Sequence, residues 1–495
     1  MSTTTTTTAA AATFKAFNEP PDASQEIHQC SSRRHPASPD AQQQEQVKTV
    51  FEFEEQDPQH AFEGHQHHNS ERKNLFKLFT AAFSFFVAGV NDGSLGALIP
   101  HVIRDYKITT AVVSAVYAAN FVGWLAAALS CTPLRVWIGK RSSDATSSRG
   151  WVMLLGCGLQ VLGNGVRCGA RGRNGNGIGF AGFVVSFGLT SWGQGLLDTE
   201  ANGYVASLKT GGGEGGEQKE KLNRWLGGIH AAYMAGCLVA PFAASGIAEV
   251  GKTKWYLFYF VPLGLGIVNL VMVAVAFWED IAARIGSGGA DAATQEDKKS
   301  ASALLKETLT TPSVWLLSLF FFFYLGTAVT AGGWVVEYLV DVRNGQLPQM
   351  GYVPAGFSGG CLLGRLFLPE ITHRWGERRM IFIYCILALG FQLLFWLVPN
   401  IIAASVAISF LGFFIGPFFA TGISVGSKIF PAHISPTAIS FVFVFAQTGG
   451  SLFPVITGIL GSRVGVSALQ PMLVGLIAAT AISWLFVPRA QHKQE

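Results

Sequence analysis

Charge is scarce in this chain of 495 residues: only 13% are Asp, Glu, Lys or Arg, against 49% that are apolar. The charges nearly cancel at +4, too small an excess to hold a polyanion, so no nucleic-acid partner is expected. A disulfide framework is also missing. Of seven cysteines, Cys30 lies in a polar stretch, and Cys131, Cys157, Cys168, Cys237, Cys361 and Cys385 fall in or beside apolar blocks, where they read as small membrane-core residues. Metal-ligand spacings, a nucleophile elbow and a phosphate-binding glycine loop are absent from any plausible context, which argues against an enzyme and against a metal or cofactor. No basic segment followed by a short apolar run opens the chain, so no secretory signal peptide is read, and the first spanning helix is expected to target the protein.

What the sequence does contain is apolar blocks of about 20 residues, each enough to cross a bilayer core of about 30 Å. Backbone groups in lipid have to be satisfied within their own segment, so helices are expected. Twelve such blocks run between residues 75 and 487. The expected organisation is a disordered cytoplasmic tail over 1–73, a six-helix bundle over 74–279, and a cytoplasmic linker over 280–312. A second six-helix bundle over 313–488 and a short cytoplasmic tail over 489–495 complete it. The tail opens "MSTTTTTTAAAA" and has no periodicity that could bury a core. Its His65, His67 and His68 read as part of a solvated segment rather than a metal site.

Basic residues in short loops set orientation. With a cytoplasmic N-terminus, the inner loops hold Arg135, Lys140, Arg141 and Arg149, then Lys209, Lys219, Lys221 and Arg224, and later Arg374, Arg378 and Arg379. Outer loops are poorer, except one that would hold Arg167, Arg171 and Arg173. The sum places both termini in the cytoplasm, and leaves plasma and vacuolar membranes equally open.

The halves repeat. A shift of 237 residues lays "VGWLAAALSCTPLRVWIGKR" over "GGCLLGRLFLPEITHRWGER", matching Gly123 with Gly360, Leu129 with Leu366 and Gly139 with Gly376. Pro241 and Pro454 sit in similar small-residue helices, the fifth and eleventh. Two parallel six-helix repeats with a basic segment after helices two and eight describe a common transporter architecture. In these features the chain resembles the major facilitator superfamily, which implies an all-α membrane fold, rocking of two halves, and a monomer. "RWGERR" looks like that superfamily's basic loop, with His373 where an Asp is usual. The resemblance implies a gating role for Arg365, Gly376, Arg378 and Arg379.

Polar groups inside spanning helices are expensive, roughly 2.5–3.5 kcal/mol for a central Asp on insertion scales, and usually face a bundle interior or an aqueous cavity. Helix one carries Asn91 and Asp92 among Gly89, Gly93 and Gly96, a face that another helix can approach. In helix four Gln194, Asp198 and Asn202 recur every fourth residue as one polar stripe. Its second-half counterpart has Phe419 at about the position of Asp198, so the acidic machinery is confined to the first half. Further candidates are Asn120, His230, Tyr233, Trp334, Glu337 and Gln447. His230 suits an interhelical hydrogen bond equally well, and Trp334 suits packing. Glu200 and Glu337 read as solvated residues near helix ends. Gly332 and Gly333 are expected to loosen helix seven.

"LDTEAN" at Leu197 to Asn202 resembles the "LETAAN" of the fucose:proton symporter branch, and "GVNDG" falls where that branch carries an acid on helix one. "AGGWVVEYL" and "GGSLFPVITGI" look like signatures of its fungal relatives. The resemblance implies that Asp92 and Asp198 couple protons and contact substrate, with Gln194, Asn202 and Trp334 helping to hold it. A carboxylate in a cavity open to alternate sides can load and unload a proton. The expected function is proton-coupled symport of a small polar, sugar-like solute. A uniporter, an exporter, and a receptor that kept the fold but lost transport remain as alternatives.

Overall fold

Apolar blocks that must pair their own backbone groups form helices, and the computed structural model shows them throughout. It describes residues 58–139, 147–170, 177–208, 215–250, 254–286, 295–431 and 433–488. The chain divides into residues 1–69 and a body from Ser70 to Glu495, and the account that follows is of the body.

Among the described residues there are twelve long segments. In the first half these are α1 Pro58–Tyr106, α2 Thr110–Ile138, α3 Ser147–Cys168, α4 Phe180–Ser207, α5 Gly215–Val250 and α6 Trp255–Ala276. In the second they are α7 Pro312–Asp341, α8 Val353–Trp375, α9 Glu377–Leu397, α10 Ile401–Ile429, α11 Ser435–Val464 and α12 Val466–Phe486. Ten of them are long and apolar enough to cross a membrane. The other two, α3 with 22 residues and α8 with 23, have the length, about 33 Å or more at 1.5 Å per residue, but carry more polar groups. α3 holds Gln160, Asn164 and Arg167; α8 holds Arg365.

Two of the sequence boundaries shift. α1 starts at Pro58, so residues 58–73 are helical where a disordered tail was expected. Residues 1–57 lie outside the described part, as do the side chains of His65, His67 and His68. In the expected linker, helices Trp278–Gly286 and Gln295–Thr310 form. The first is tied to α1 by Lys73–Glu279 at 2.6 Å and Lys77–Asp280 at 3.2 Å. The bond from Lys73 holds the exposed Glu279 carboxyl below its ordinary pKa.

Within the first half α3 packs on α4 and α6, and α2 on α4; within the second, α7 packs on α11 and α12, α8 on α10, and α9 on α10 and α12. The halves meet through α5 with α8 and α2 with α11. Their contacts are tight at the end where α1 hands over to α2. Thr110 Oγ1 donates to the Gly458 carbonyl at 2.9 Å, the Tyr117 ring lies 6.3 Å from Trp334, and Phe242 lies 5.8 Å from Tyr352. These contacts hold the two halves together at that end.

At the opposite end each half is clasped by an ion pair. Glu200 was expected to be solvated; its side chain is instead 1% exposed, with the Nε of Arg135 and of Arg149 each 3.5 Å from a carboxylate oxygen. The helix does not end there: α4 runs on to Ser207, which keeps Glu200 between α2 and α3. In the second half Lys428 and Ser424 reach Glu377 at 2.7 and 2.9 Å. Arg149 with Glu200, and Glu377 with Lys428, have the same 51-residue separation with the charges exchanged. Glu200→Ala is expected to lower stability by about 1–3 kcal/mol, because it strips two guanidinium groups of their acid. Thermal unfolding of the purified protein checks this, and an unchanged melting temperature would overturn the clasp.

Candidate functional site

The site grows from the contact of α1 with α5. Gly89 and Gly93 let the backbone of α5 come so close that a Cβ on Gly89 would run into the Tyr233 carbonyl, and one on Gly93 would lie 2.6 Å from the Cys237 Cα. Small residues permit such approaches between helices in lipid.

At this contact the consecutive polar residues of α1 divide their labour. Asn91 turns into the first half, only 4% exposed. Its Nδ2 donates to the Val87 carbonyl and its Oδ1 accepts from Arg167 Nη1 at 3.4 Å. Asp92 is exposed, and its Oδ2 accepts 2.8 Å from Gln194 Nε2 of α4 and 2.9 Å from the Tyr233 hydroxyl of α5. Three helices therefore converge on one accessible carboxylate. Asp198 is half-buried one turn beyond Gln194, on the same face of α4.

Arg167 was read as an outer-loop residue, and the structure corrects this. It lies in the last turn of α3 and is 1% exposed, with Gln160 and Asn164 of the same helix fully buried behind it. Its guanidinium donates to Asn164 Oδ1 at 3.2 Å and Ser186 Oγ at 3.2 Å, and lies 3.6 Å from the Phe187 ring centroid. The signal that could have found it is the stripe Gln160, Asn164, Arg167 at helical spacing. Through Asn91 it fixes the residue before Asp92.

Other expected residues sit as follows. Asn120 accepts from Ser191 at 2.9 Å, joining α2 to α4, and Asn202 donates to the Asp198 carbonyl of its own helix. The His230 ring lies between Phe85, 5.0 Å away, and Phe419, 4.8 Å away. Trp334, expected to hold ligand, is 1% exposed and donates to the Pro454 carbonyl at 3.1 Å, so in this conformation it packs α7 on α11. Gly332 and Gly333 do not loosen α7, which is continuous. Glu337 is half-buried near the end of α7, in the electrostatic neighbourhood of Asp341 and Arg104 rather than of Asp92. Gln447 is half-buried on α11.

The basic segment divides too. Gly376 joins α8 to α9 at φ 93°, a conformation that favours glycine. Arg378 donates to the Val487 carbonyl at 2.8 Å, fastening α9 to the end of α12, and Arg379 is exposed. Arg365 is not in the loop at all. It lies inside α8, donates from Nη1 to the His230 carbonyl at 3.4 Å, and faces the Phe419 ring at 5.5 Å. Among the described residues, no three His, Cys, Asp or Glu side chains converge to hold a metal ion.

Comparison with known proteins places this geometry. Bypass of stop codon protein 6 of Saccharomyces cerevisiae is 26% identical over 429 residues, covering 82% of this chain and 81% of that protein. Solved structures of similar fold include the nucleoside transporter NupG, at 12% identity and a TM-score of 0.61, and the E. coli fucose:proton symporter FucP, at 17% and 0.55. Each comparison covers 84% of this chain and 100% of the other. The family model of the Major Facilitator Superfamily matches residues 81–454 and 343–495. With paired six-helix halves and a match running through nearly all of the body, the chain belongs to the major facilitator superfamily.

Proposed function

We propose that this transporter-family protein carries a small polar, polyhydroxylated solute by alternating access, in symport with protons. Asp92 carries the reading: a carboxylate that is accessible yet held by Gln194 of α4 and Tyr233 of α5. Such a group can exchange a proton with whichever side the cavity faces and can accept hydrogen bonds from solute hydroxyls. Asp198 on the same wall is the second acid, and Gln194, Tyr233, Asn120, Asn202 and His230 complete that half of the cavity, while Asn91, buried against Arg167, holds α1 in place behind Asp92. Trp334, Glu337 and Gln447 of the second half join only when the halves rearrange, and Arg378 and Arg379 act at the hinge segment around Gly376. A protein of similar fold is described as a fucose:proton symporter, which supports coupling. The burial of Arg167 removes one basic residue from the outer loop that opposed the topology, which supports cytoplasmic termini.

The test is uptake into proteoliposomes with an imposed pH gradient, over sugars, polyols and organic ions. Accumulation that follows the gradient is expected. Equilibration without dependence on the gradient would replace symport by uniport, and binding without counterflow exchange would make the protein a receptor.

A further inference from the structure

Arg365 is unexplained by neutral-solute symport. It projects from α8 to the place where four helices meet: it bonds the His230 carbonyl of α5 and faces Phe419 of α10, and the His230 ring touches Phe85 of α1. Along α5, Tyr233 follows His230 at about 4.5 Å of axial rise, and the Tyr233 hydroxyl holds Asp92. The guanidinium and the acid thus flank one stretch of α5, from opposite halves of the molecule.

A guanidinium has five N–H donors and cannot shed its proton. Among the described residues Arg365 makes no carboxylate ion pair; the Tyr324 hydroxyl of α7 lies beside its guanidinium, but its Nε, buried, has no hydrogen-bond partner. A half-buried cation with an unfilled donor is costly unless an anion completes it. Arg167 is different, because Asn91, Asn164, Ser186 and Phe187 enclose it.

We infer that the transported solute carries an oxyanion, a carboxylate or phosphate, that docks on Arg365 while its hydroxyl or amino groups face Asp92 and Gln194. The planar fork of arginine fits such groups with two parallel hydrogen bonds. One wall then supplies acceptors and the other a cation, so the site takes a hydroxy acid, sugar acid or amino acid in preference to the uncharged parent. This rests on the transport reading above and specifies its substrate class.

The experiment compares matched pairs by thermal unfolding of the full-length protein in detergent: D-glucuronate against D-glucose, lactate against propane-1,2-diol, alanine against alaninol, and glucose 6-phosphate against glucose. The anionic member of at least one pair is expected to stabilise more than its partner. That excess should weaken roughly tenfold or more in apparent Kd in Arg365→Gln. Arg365→Met, apolar and of similar length, serves if the glutamine variant does not fold. No anion preference in any pair, or a preference that persists without the arginine, overturns the assignment. Anion preference without pH-driven uptake would instead sink the symport reading and leave this one standing. Gradient-driven uptake of a neutral member with no anion preference does the reverse.

Discussion

Asp92→Asn is expected to abolish uphill accumulation while leaving solute exchange across the membrane. One proton moving down a pH gradient equivalent to about 100 mV releases about 2.3 kcal/mol, which at 1.36 kcal/mol per tenfold sustains roughly 50-fold accumulation of the solute that moves with it. An asparagine at this position keeps an acceptor for Gln194 Nε2 and the Tyr233 hydroxyl, 2.8 and 2.9 Å away in the native protein. It cannot gain or lose a proton. The variant should therefore fold, melt within about 0.5 kcal/mol of the native protein as substitutions that keep their contacts do, and catalyse counterflow. Accumulation should fall from roughly 50-fold to unity. If exchange and accumulation drop together, Asp92 is a binding group only; if accumulation is untouched, the coupling acid is elsewhere, with Asp198 next to be tested.

How much of this could be read from the residues differs with the kind of signal. Lipid enforces helices and lengths, so the twelve segments follow from apolar spacing, including α3 and α8, whose polar content hides them from a simple hydropathy criterion. The polar stripe on α4 follows from a four-residue repeat. Pairings across helices do not follow: Asp92 and Gln194 were both visible as expensive residues, but their hydrogen bond depends on how α1 and α4 are rotated, which no local pattern encodes. Arg167 stands at the end of an apolar block, where a loop residue and the last turn of a helix look alike. Trp334 is ambiguous for a related reason, since an indole suits ligand stacking and helix packing equally well. Glu200 misled because a carboxylate near a helix end is usually solvated, and only the long reach of Arg135 and Arg149 encloses it.

Gly236→Leu is expected to cost about 3 kcal/mol or more, the upper range for overpacking, and to prevent the site from forming. A Cβ at this position of α5 would run into the Phe86 carbonyl and come within 2.8 Å of the Val90 nitrogen and 3.0 Å of the Gly89 carbonyl carbon, all of them backbone of α1. Backbone within a helix cannot swing aside as a side chain can, so α5 would have to move away as a unit. Close packing of small residues is a main source of helix association in lipid, and separation forfeits it. The same movement pulls the Tyr233 hydroxyl from Asp92, three positions earlier on α5. Gly264→Leu on α6 is the control, because a Cβ there meets nothing within 4 Å, and its melting temperature should barely change. Size-exclusion profiles and thermal unfolding in detergent distinguish the two. Equal behaviour would mean that α1 and α5 are not in close contact in the membrane. Gly236→Ala separates stability from function: a single methyl forces a smaller displacement, so folded protein should survive while pH-driven uptake falls more steeply than the melting temperature.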